Sequence, residues 1–126
     1  MPGKKKRKLS EDEAFEIALR DHPQWQQALE NDELPDEMIG EDGQNMNPRA
    51  HLQIHAVVER QIAHNEPRGV VAVAQELARL GLSRHDIRHE IGNVLTEHIW
   101  YMTNEGCPFD EGRYIAELRE VVRSHR

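Results

Sequence analysis

Apolar residues recur at helical spacing along most of the chain, and no segment alternates strictly between apolar and polar side chains. Four stretches carry an apolar stripe at intervals of three and four residues, which predicts amphipathic helices of about 12–20 residues. These stretches begin near Asn47, Val70, Ser83 and Asp110. Two shorter helices are predicted before them, divided at His22-Pro23 because the residue before a proline disfavours helical backbone. The pattern predicts an all-α fold, a small helical bundle of about four main helices plus a short N-terminal helical hairpin.

Residues that begin and end helices mark the boundaries of these elements. Ser10 and Glu13 form a capping-box pattern, in which each side chain accepts a hydrogen bond from the other residue's backbone amide. Asn47 followed by Pro48 predicts a helix start, and Gly81 predicts a helix end. Residues 31–46 lose the helical periodicity and contain proline, glycine and many acidic side chains, so an acidic loop is predicted there.

Composition excludes several classes of protein. The chain has 126 residues, 37% of them hydrophobic and 31% charged, which suits one compact domain. No apolar run approaches the roughly 18 residues of a membrane span, and the basic opening does not lead into the apolar segment of a signal peptide. Cys107 is the only cysteine, which excludes an internal disulfide and a cysteine-based zinc site. We therefore expect a cytoplasmic protein with one helical domain over residues 10–126.

Charge is distributed unevenly along the chain. The run Lys4-Lys5-Lys6-Arg7-Lys8 contains every lysine, and we expect residues 1–9 to form a disordered basic tail. A more specific interpretation of this run is a nucleic-acid contact or a nuclear-import signal. The formal net charge is -7, so the acidic balance argues against a dedicated binder of duplex DNA. Residues 44–126 hold eleven acidic side chains against ten arginines, so the helical body itself is nearly neutral.

Histidine is the most unusual feature of the composition, with eight residues in so short a chain. His51 and His55 lie one helical turn apart, and so do His85 and His89, so each pair directs two imidazoles to the same side of its helix. Two helices that each supply such a pair form the ligand arrangement of a metal site inside a bundle. The pattern therefore indicates a candidate metal site, although nothing in it selects a reaction.

The two histidine pairs can meet only if the longest helix is covered on more than one face. The second pair lies opposite the main apolar stripe of that helix, towards Gly92 and Trp100. In the alternative interpretation the imidazoles are structural groups, hydrogen-bonded to the backbone or to Glu59, Glu97 or Gln61, because buried polar groups are usually paired. The sequence leaves both interpretations open.

Five short motifs are spread along the helical part of the chain. They are His22-Pro23-Gln24-Trp25, Asn47-Pro48 with His51 and His55, Glu66-Pro67-Arg68-Gly69, His85-x-x-x-His89, and Glu97-His98-Ile99-Trp100. Together they resemble an uncharacterised bacterial family, the domain of unknown function numbered 1841, over about residues 22–118. The resemblance implies a bacterial cytosolic protein with a shared His/Glu site, and it implies no activity. The matching positions are His22, His51, His55, Gln61, His89, Glu97 and Trp100, with a weaker match at His85.

Two hypotheses of different classes follow. In the first, a cluster inside the bundle binds a divalent metal, and a mixture of imidazole and carboxylate suits zinc or non-haem iron. The candidate ligands are His51, His55, His89, Glu97 and His22, with His85 as a weaker candidate. In the second, the protein is a non-enzymatic interaction module, in which the acidic loop binds a basic partner and the lysine-rich tail binds nucleic acid or an anionic surface. The histidines would then only fix the packing.

Overall fold

The structure, a computed structural model, describes residues 8–40 and 43–126 of the chain. These residues form six helices and one two-stranded sheet. In chain order the elements are α1 (Glu11–Arg20), α2 (Pro23–Glu30), β1 (Met38–Ile39), β2 (Asn45–Met46), α3 (Pro48–His64), α4 (Val70–Arg79), α5 (Arg84–Glu105) and α6 (Glu111–Ser124). The predicted all-α fold is confirmed, with α1 and α2 as the N-terminal hairpin and α3 to α6 as the four main helices.

Capping residues place the helix ends close to where the sequence predicts them. The capping box at the start of α1 is present. The side chain of Asn47 accepts a hydrogen bond from the amide of Ala50 at 3.1 Å, and Ser83 accepts one from the amide of Asp86 at 3.1 Å. α5 ends at Glu105 and is capped by Gly106, whose φ of 67° is a left-handed conformation that favours glycine. These caps fix where the histidines fall along α3 and α5.

A short hairpin within the acidic loop is not predicted by the periodicity of the sequence. Met38 pairs with Met46 and Ile39 pairs with Asn45 in an antiparallel register. Each strand has two residues, which is too short for an alternating pattern to be recognised. The second strand is followed directly by the N-cap of α3, so the hairpin leads straight into that helix.

α3 is the central helix of the fold. It packs against α1, α4 and α5, and α6 packs against α4 and α5. A large apolar cluster fills the space among α3 to α6 and includes Val58, Ile91 and Leu118. A smaller cluster, built on Ala18, Leu34 and Leu52, lies between the N-terminal hairpin and α3. α3 therefore joins two separate cores, contributing Leu52 to one and Val58 to the other.

The described part of the chain begins within the basic run. Residues 1–7, on which most of the basic-tail prediction rests, lie outside the described residues. The amide of Leu9 donates to Nε2 of His64 at 2.9 Å, and its carbonyl accepts from Nε of Arg60 at 3.1 Å. Leu9 is thus attached to the end of α3, one residue before the expected start of the domain. Within residues 8–40 and 43–126, no helix combines the length and the apolar character needed to cross a membrane.

Candidate metal centre

Four histidines from three separate segments of the chain converge beside α3. His22 lies between α1 and α2, His51 and His55 lie one turn apart on α3, and His89 lies on α5. One ring nitrogen from each of them lies within 4.8 Å of a ring nitrogen of every other. We refer to His22, His51, His55 and His89 as the four-histidine cluster. The structure thus brings together members of both predicted histidine pairs and adds His22 from the hairpin.

The rings of the cluster are close to one another but mostly not stacked. The centroid of His51 lies 4.5 Å from that of His55, and His89 lies 5.1 Å from both. The ring of His22 is 4.8 Å from that of His55, with the two planes at 89°. Because the lone pair of an imidazole nitrogen lies in the ring plane, crossed rings can direct their nitrogens at a shared centre.

His22 is held in one tautomer by its surroundings. Its side chain is buried, and its ring stacks on Trp25 with centroids 4.7 Å apart. Nδ1 lies 2.8 Å from the carbonyl oxygen of Ala18, which can only accept a hydrogen bond, so Nδ1 carries the proton. Nε2 is then the nitrogen with a lone pair, and it is buried with no hydrogen-bond partner among the described residues. A metal-binding histidine usually has this arrangement, in which one ring nitrogen donates its N–H to a carbonyl and the other ring nitrogen offers its lone pair to the metal.

The two histidines of α3 are kept neutral by their environment. Burial, followed by the neighbouring imidazoles, lowers the pKa of His55 to about 3 and the pKa of His51 to about 4. A metal ion competes with protons for the ring nitrogens, because the nitrogen must be deprotonated to bind it. At neutral pH no proton has to leave either side chain before an ion can bind.

Gly92 allows α3 and α5 to approach each other closely. It is buried on α5, and a Cβ atom at this position would lie 3.3 Å from Cγ2 of Ile54. Gly92 follows His89 by three residues, so both lie on the same side of α5. The two histidine pairs can meet only if this side of α5 is covered, and at Gly92 it is covered by α3. Trp100, further along the helix, is 53% exposed.

An ion-pair network joins the same three segments that supply the histidines. Oε1 of Glu59 on α3 accepts hydrogen bonds from Nη2 of Arg84 and Nε of Arg88, both at 2.8 Å. Arg84 also lies 3.3 Å from Asp21, the residue immediately before His22. The network therefore ties the end of α1, the middle of α3 and the start of α5 together around the cluster.

These arginines were not identified from the sequence as part of the site. A usable signal was present, because Arg84 and Arg88 repeat the four-residue spacing of the histidines that follow each of them. Glu59 likewise follows His55 by four residues on α3. Because Glu59 lies one turn from a histidine of α3, and each arginine lies next to a histidine of α5, helices that meet at the histidines also bring these opposite charges together.

Two predicted ligands are placed outside the cluster. His85 is exposed, with its ring centroid 4.4 Å from that of His89 but 6.5 Å from that of His55, so it flanks the cluster. Glu97 is also exposed, and it follows His89 on α5 by eight residues, roughly 12 Å along the helix axis. The structure therefore does not bring the predicted carboxylate to the imidazoles.

Two of the three side chains considered as structural partners of the imidazoles, Gln61 and Glu59, bind other groups. Oε1 of Gln61 accepts a hydrogen bond from the hydroxyl of Tyr114 at 2.8 Å, in the larger core. Glu59 binds Arg84 and Arg88, as described above. His98, adjacent to Glu97, places Nε2 2.7 Å from Oε2 of Glu117 on α6 and is not part of the cluster. One contact does agree with the structural interpretation of the histidines, because Nδ1 of His22 is hydrogen-bonded to the backbone carbonyl of Ala18.

A cleft of about 270 Å³ opens beside the cluster. His51, His55 and His89 border it, whereas His22 does not. The other lining residues are Asn45, Met46, Asn47, Ala50, Ile54, Gly92, Asn93 and Thr96. Apart from these three histidines, none of the residues that line the cleft carries an acidic or basic side chain. A small molecule can therefore reach the cluster from one side, with His22 held on the buried side.

Comparison with known proteins identifies one family. The family model described as "Domain of unknown function (DUF1841)" matches residues 3–120. No curated protein and no solved structure matches the chain. The family match confirms the resemblance drawn from the histidine and tryptophan motifs, and it spans all four members of the cluster.

Proposed function

This chain belongs to the DUF1841 family, and we propose that it is a metalloprotein whose four-histidine cluster binds one zinc ion. The observation that carries this proposal is the lone pair on Nε2 of His22. It is buried and has no hydrogen-bond partner among the described residues, yet it lies in a cluster with three other imidazoles. Leaving such a group unpaired costs about 1–3 kcal/mol, and a bound cation removes that cost.

The ligand set favours zinc over non-haem iron. Among the described residues, the cluster contains four imidazoles and no carboxylate, whereas the common non-haem iron site combines two histidines with one carboxylate. Glu97, the carboxylate predicted as a candidate ligand, is exposed and lies roughly 12 Å from His89 along the axis of α5. Zinc accepts four nitrogen ligands in a tetrahedral arrangement, with zinc–nitrogen distances of about 2.0–2.1 Å.

The cleft gives the proposed site a chemical role beyond stabilising the fold. His22 binds the ion from the buried side, and the other three ligands border open space. A zinc ion accepts an additional ligand by expanding to five coordination, and a bound zinc ion supplies Lewis acidity and lowers the pKa of a bound water. The network of Glu59 with Arg84 and Arg88 holds the ligand-bearing helices in place. We place this metalloprotein in the bacterial cytoplasm, as the single cysteine and the resemblance of the motifs imply.

The proposal is tested by measuring the metal content of the full chain, purified without an affinity tag. We expect about one zinc per chain, and loss of zinc in His22→Gln and His55→Gln. The matched control is His125→Gln, since His125 lies at the C-terminus and binds Glu90 at 3.1 Å, outside the cluster. A folded wild-type protein that contains no metal, and whose unfolding midpoint does not change with a chelator or with added zinc, would contradict the proposal. The structural interpretation of the histidines would then be the correct one.

A further inference from the structure

We propose that the cleft beside the four-histidine cluster binds a small carboxylate with a short aliphatic chain, and that one carboxylate oxygen coordinates the metal ion. This inference rests on the proposed zinc site and adds to it the chemical class of its ligand. It is carried by the charges and the surface chemistry of the residues that line the cleft.

The charge of the proposed ion is not compensated by its ligands. Imidazole binds a metal in its neutral form, so a zinc ion held by four histidines keeps its full charge of two. Among the residues that line the cleft there is no acidic side chain. Glu59, the buried carboxylate on α3, is already paired with Arg84 and Arg88. Because charge separation is costly in a partly buried site, an anion from solution is the natural partner of this ion.

The start of α3 adds to the attraction for an anion. Asn47, Ala50 and His51 line the cleft and belong to the N-cap and first turn of this 17-residue helix. The N-terminus of a helix carries a partial positive charge. Oδ1 of Asn47 caps the helix by accepting from Ala50, which leaves the amide NH₂ group of this side chain as its donor. Asn45 and Asn93 add two further neutral amides to the lining.

Most of the remaining surface of the cleft is apolar, with Thr96 as the one further polar side chain in the lining. Met46, Ala50 and Ile54 present methyl and methylene groups beside the histidines. With a volume of about 270 Å³, the cleft has ample room for a ligand of a few carbon atoms. A carboxylate with a short chain meets both conditions, because its oxygen faces the ion and its chain covers the apolar wall. Inorganic phosphate has the charge but nothing to place against this wall.

The experiment uses the full chain loaded with cobalt(II), whose visible absorption reports a change of ligands. Acetate, butyrate and phosphate are titrated separately against the loaded protein. We expect a saturable spectral change with butyrate. We also expect butyrate to bind roughly tenfold more tightly than acetate, since each of its two additional methylenes contributes several-fold in affinity when buried. Phosphate is expected to bind more weakly than butyrate.

A variant that adds charge at the cleft locates the binding site. Asn47→Asp retains a good helix N-cap, because aspartate and asparagine cap helices about equally well. It places a negative charge on the lining of the cleft and is expected to weaken butyrate binding about tenfold, with the cobalt content unchanged. The matched control is Ser10→Asp, which adds the same charge at the N-cap of α1, near the opposite end of α3. This control is expected to bind butyrate like the wild type.

The outcomes separate the two proposals. If the wild-type chain binds neither zinc nor cobalt, the metal site is wrong and the ligand inference falls with it. If the chain binds one ion and butyrate leaves the spectrum unchanged, the ligand inference alone is overturned. Equal affinities for butyrate and acetate, or tighter binding of phosphate, overturn the assignment of an aliphatic carboxylate. An equal loss of affinity in Asn47→Asp and Ser10→Asp overturns the location in the cleft.

Discussion

Glu59 on α3 and Arg88 on α5 form a buried ion pair, in which Nε of Arg88 lies 2.8 Å from Oε1 of Glu59. The exposed fraction of the side chain is 7% for Glu59 and 13% for Arg88. Glu59 lies one turn after His55, and Arg88 immediately precedes His89. The pair therefore links the two helices that carry three members of the four-histidine cluster.

We expect Glu59→Gln to lower the free energy of unfolding by about 3 kcal/mol, because it leaves Arg88 buried without its anionic partner. The same substitution is expected to weaken zinc binding about tenfold or more, as loss of supporting contacts around metal ligands does. Urea unfolding and competition with a chromophoric chelator measure the two effects. Glu76→Gln is the control, since Glu76 forms a more exposed pair with Arg79 and should cost less than about 0.5 kcal/mol. Equal effects of the two substitutions would contradict the role of the buried pair.

We expect Gly92→Leu to destabilise the protein by about 1–3 kcal/mol and to weaken metal binding, because a side chain here must separate α5 from Ile54 on α3. Gly112→Leu on α6 is the matched control. A Cβ atom at Gly112 would make an ordinary contact with Asp110 at 3.5 Å, and leucine has a higher helix propensity than glycine. Gly112 lies in the first turn of α6, where the gain in propensity is at most as large as in the middle of α5. A lower unfolding midpoint for Gly92→Leu than for Gly112→Leu therefore reports the helix contact. No difference between them would show that α3 and α5 tolerate a wider spacing.

The metal-free protein should become less stable as the pH falls below about 6.5. The unfolded chain takes up protons on His51 and His55 near their ordinary pKa of 6.5, whereas the folded chain does so only near pH 4 and pH 3. The contribution of these two histidines to the free energy of unfolding is therefore fully present above pH 6.5. It is lost progressively as the pH falls from 6.5 to about 3. Urea unfolding midpoints of the wild type and of His55→Gln, compared at pH 7.5, 6.0 and 4.5, isolate this contribution. Parallel pH dependences of the two proteins would contradict it.

Tyr114→Phe tests whether Gln61 belongs to the core or to the site. We expect a loss of about 1–2 kcal/mol in the free energy of unfolding, because Oε1 of Gln61 loses the buried hydroxyl that donates to it at 2.8 Å. The metal content should remain that of the wild type, since this hydrogen bond lies in the core of α3 and α6. Reduced zinc binding in Tyr114→Phe, measured alongside its stability, would show instead that Gln61 supports the cluster.

The helices were predictable because their signals are local. Ser10, Asn47 and Ser83 each cap the helix that the periodicity places after them. The β1–β2 hairpin was missed because strands of two residues carry no readable pattern. It forms through backbone pairing across the acidic loop, which side-chain periodicity does not record.

The candidate site was predictable in part. The spacing of His51 and His55 places both rings on one side of α3, and that relationship needs no tertiary information. Whether His22 joins the cluster depends on how the N-terminal hairpin packs on α3, which is a tertiary contact. The motifs therefore name His22 only as a further candidate ligand. The family resemblance names Glu97 as a candidate ligand, because a sequence motif does not show where α3 meets α5. The contact of Gly92 with Ile54 fixes that point beside His89, and Glu97 lies about two turns further on.

The small core beneath the N-terminal hairpin gives the proposed ion a consequence for dynamics. In this small apolar core only Ala18, Leu34 and Leu52 are buried among the described residues. The apolar core among α3 to α6 is much larger. An ion shared by His22, His55 and His89 would bridge the hairpin to the main body where apolar burial is least. Removing the ion should let the hairpin open locally while the larger core stays folded. Amide hydrogens of α1 and α2 would then exchange with solvent before those of α4 and α6, which makes the hairpin a metal-dependent unit of local unfolding.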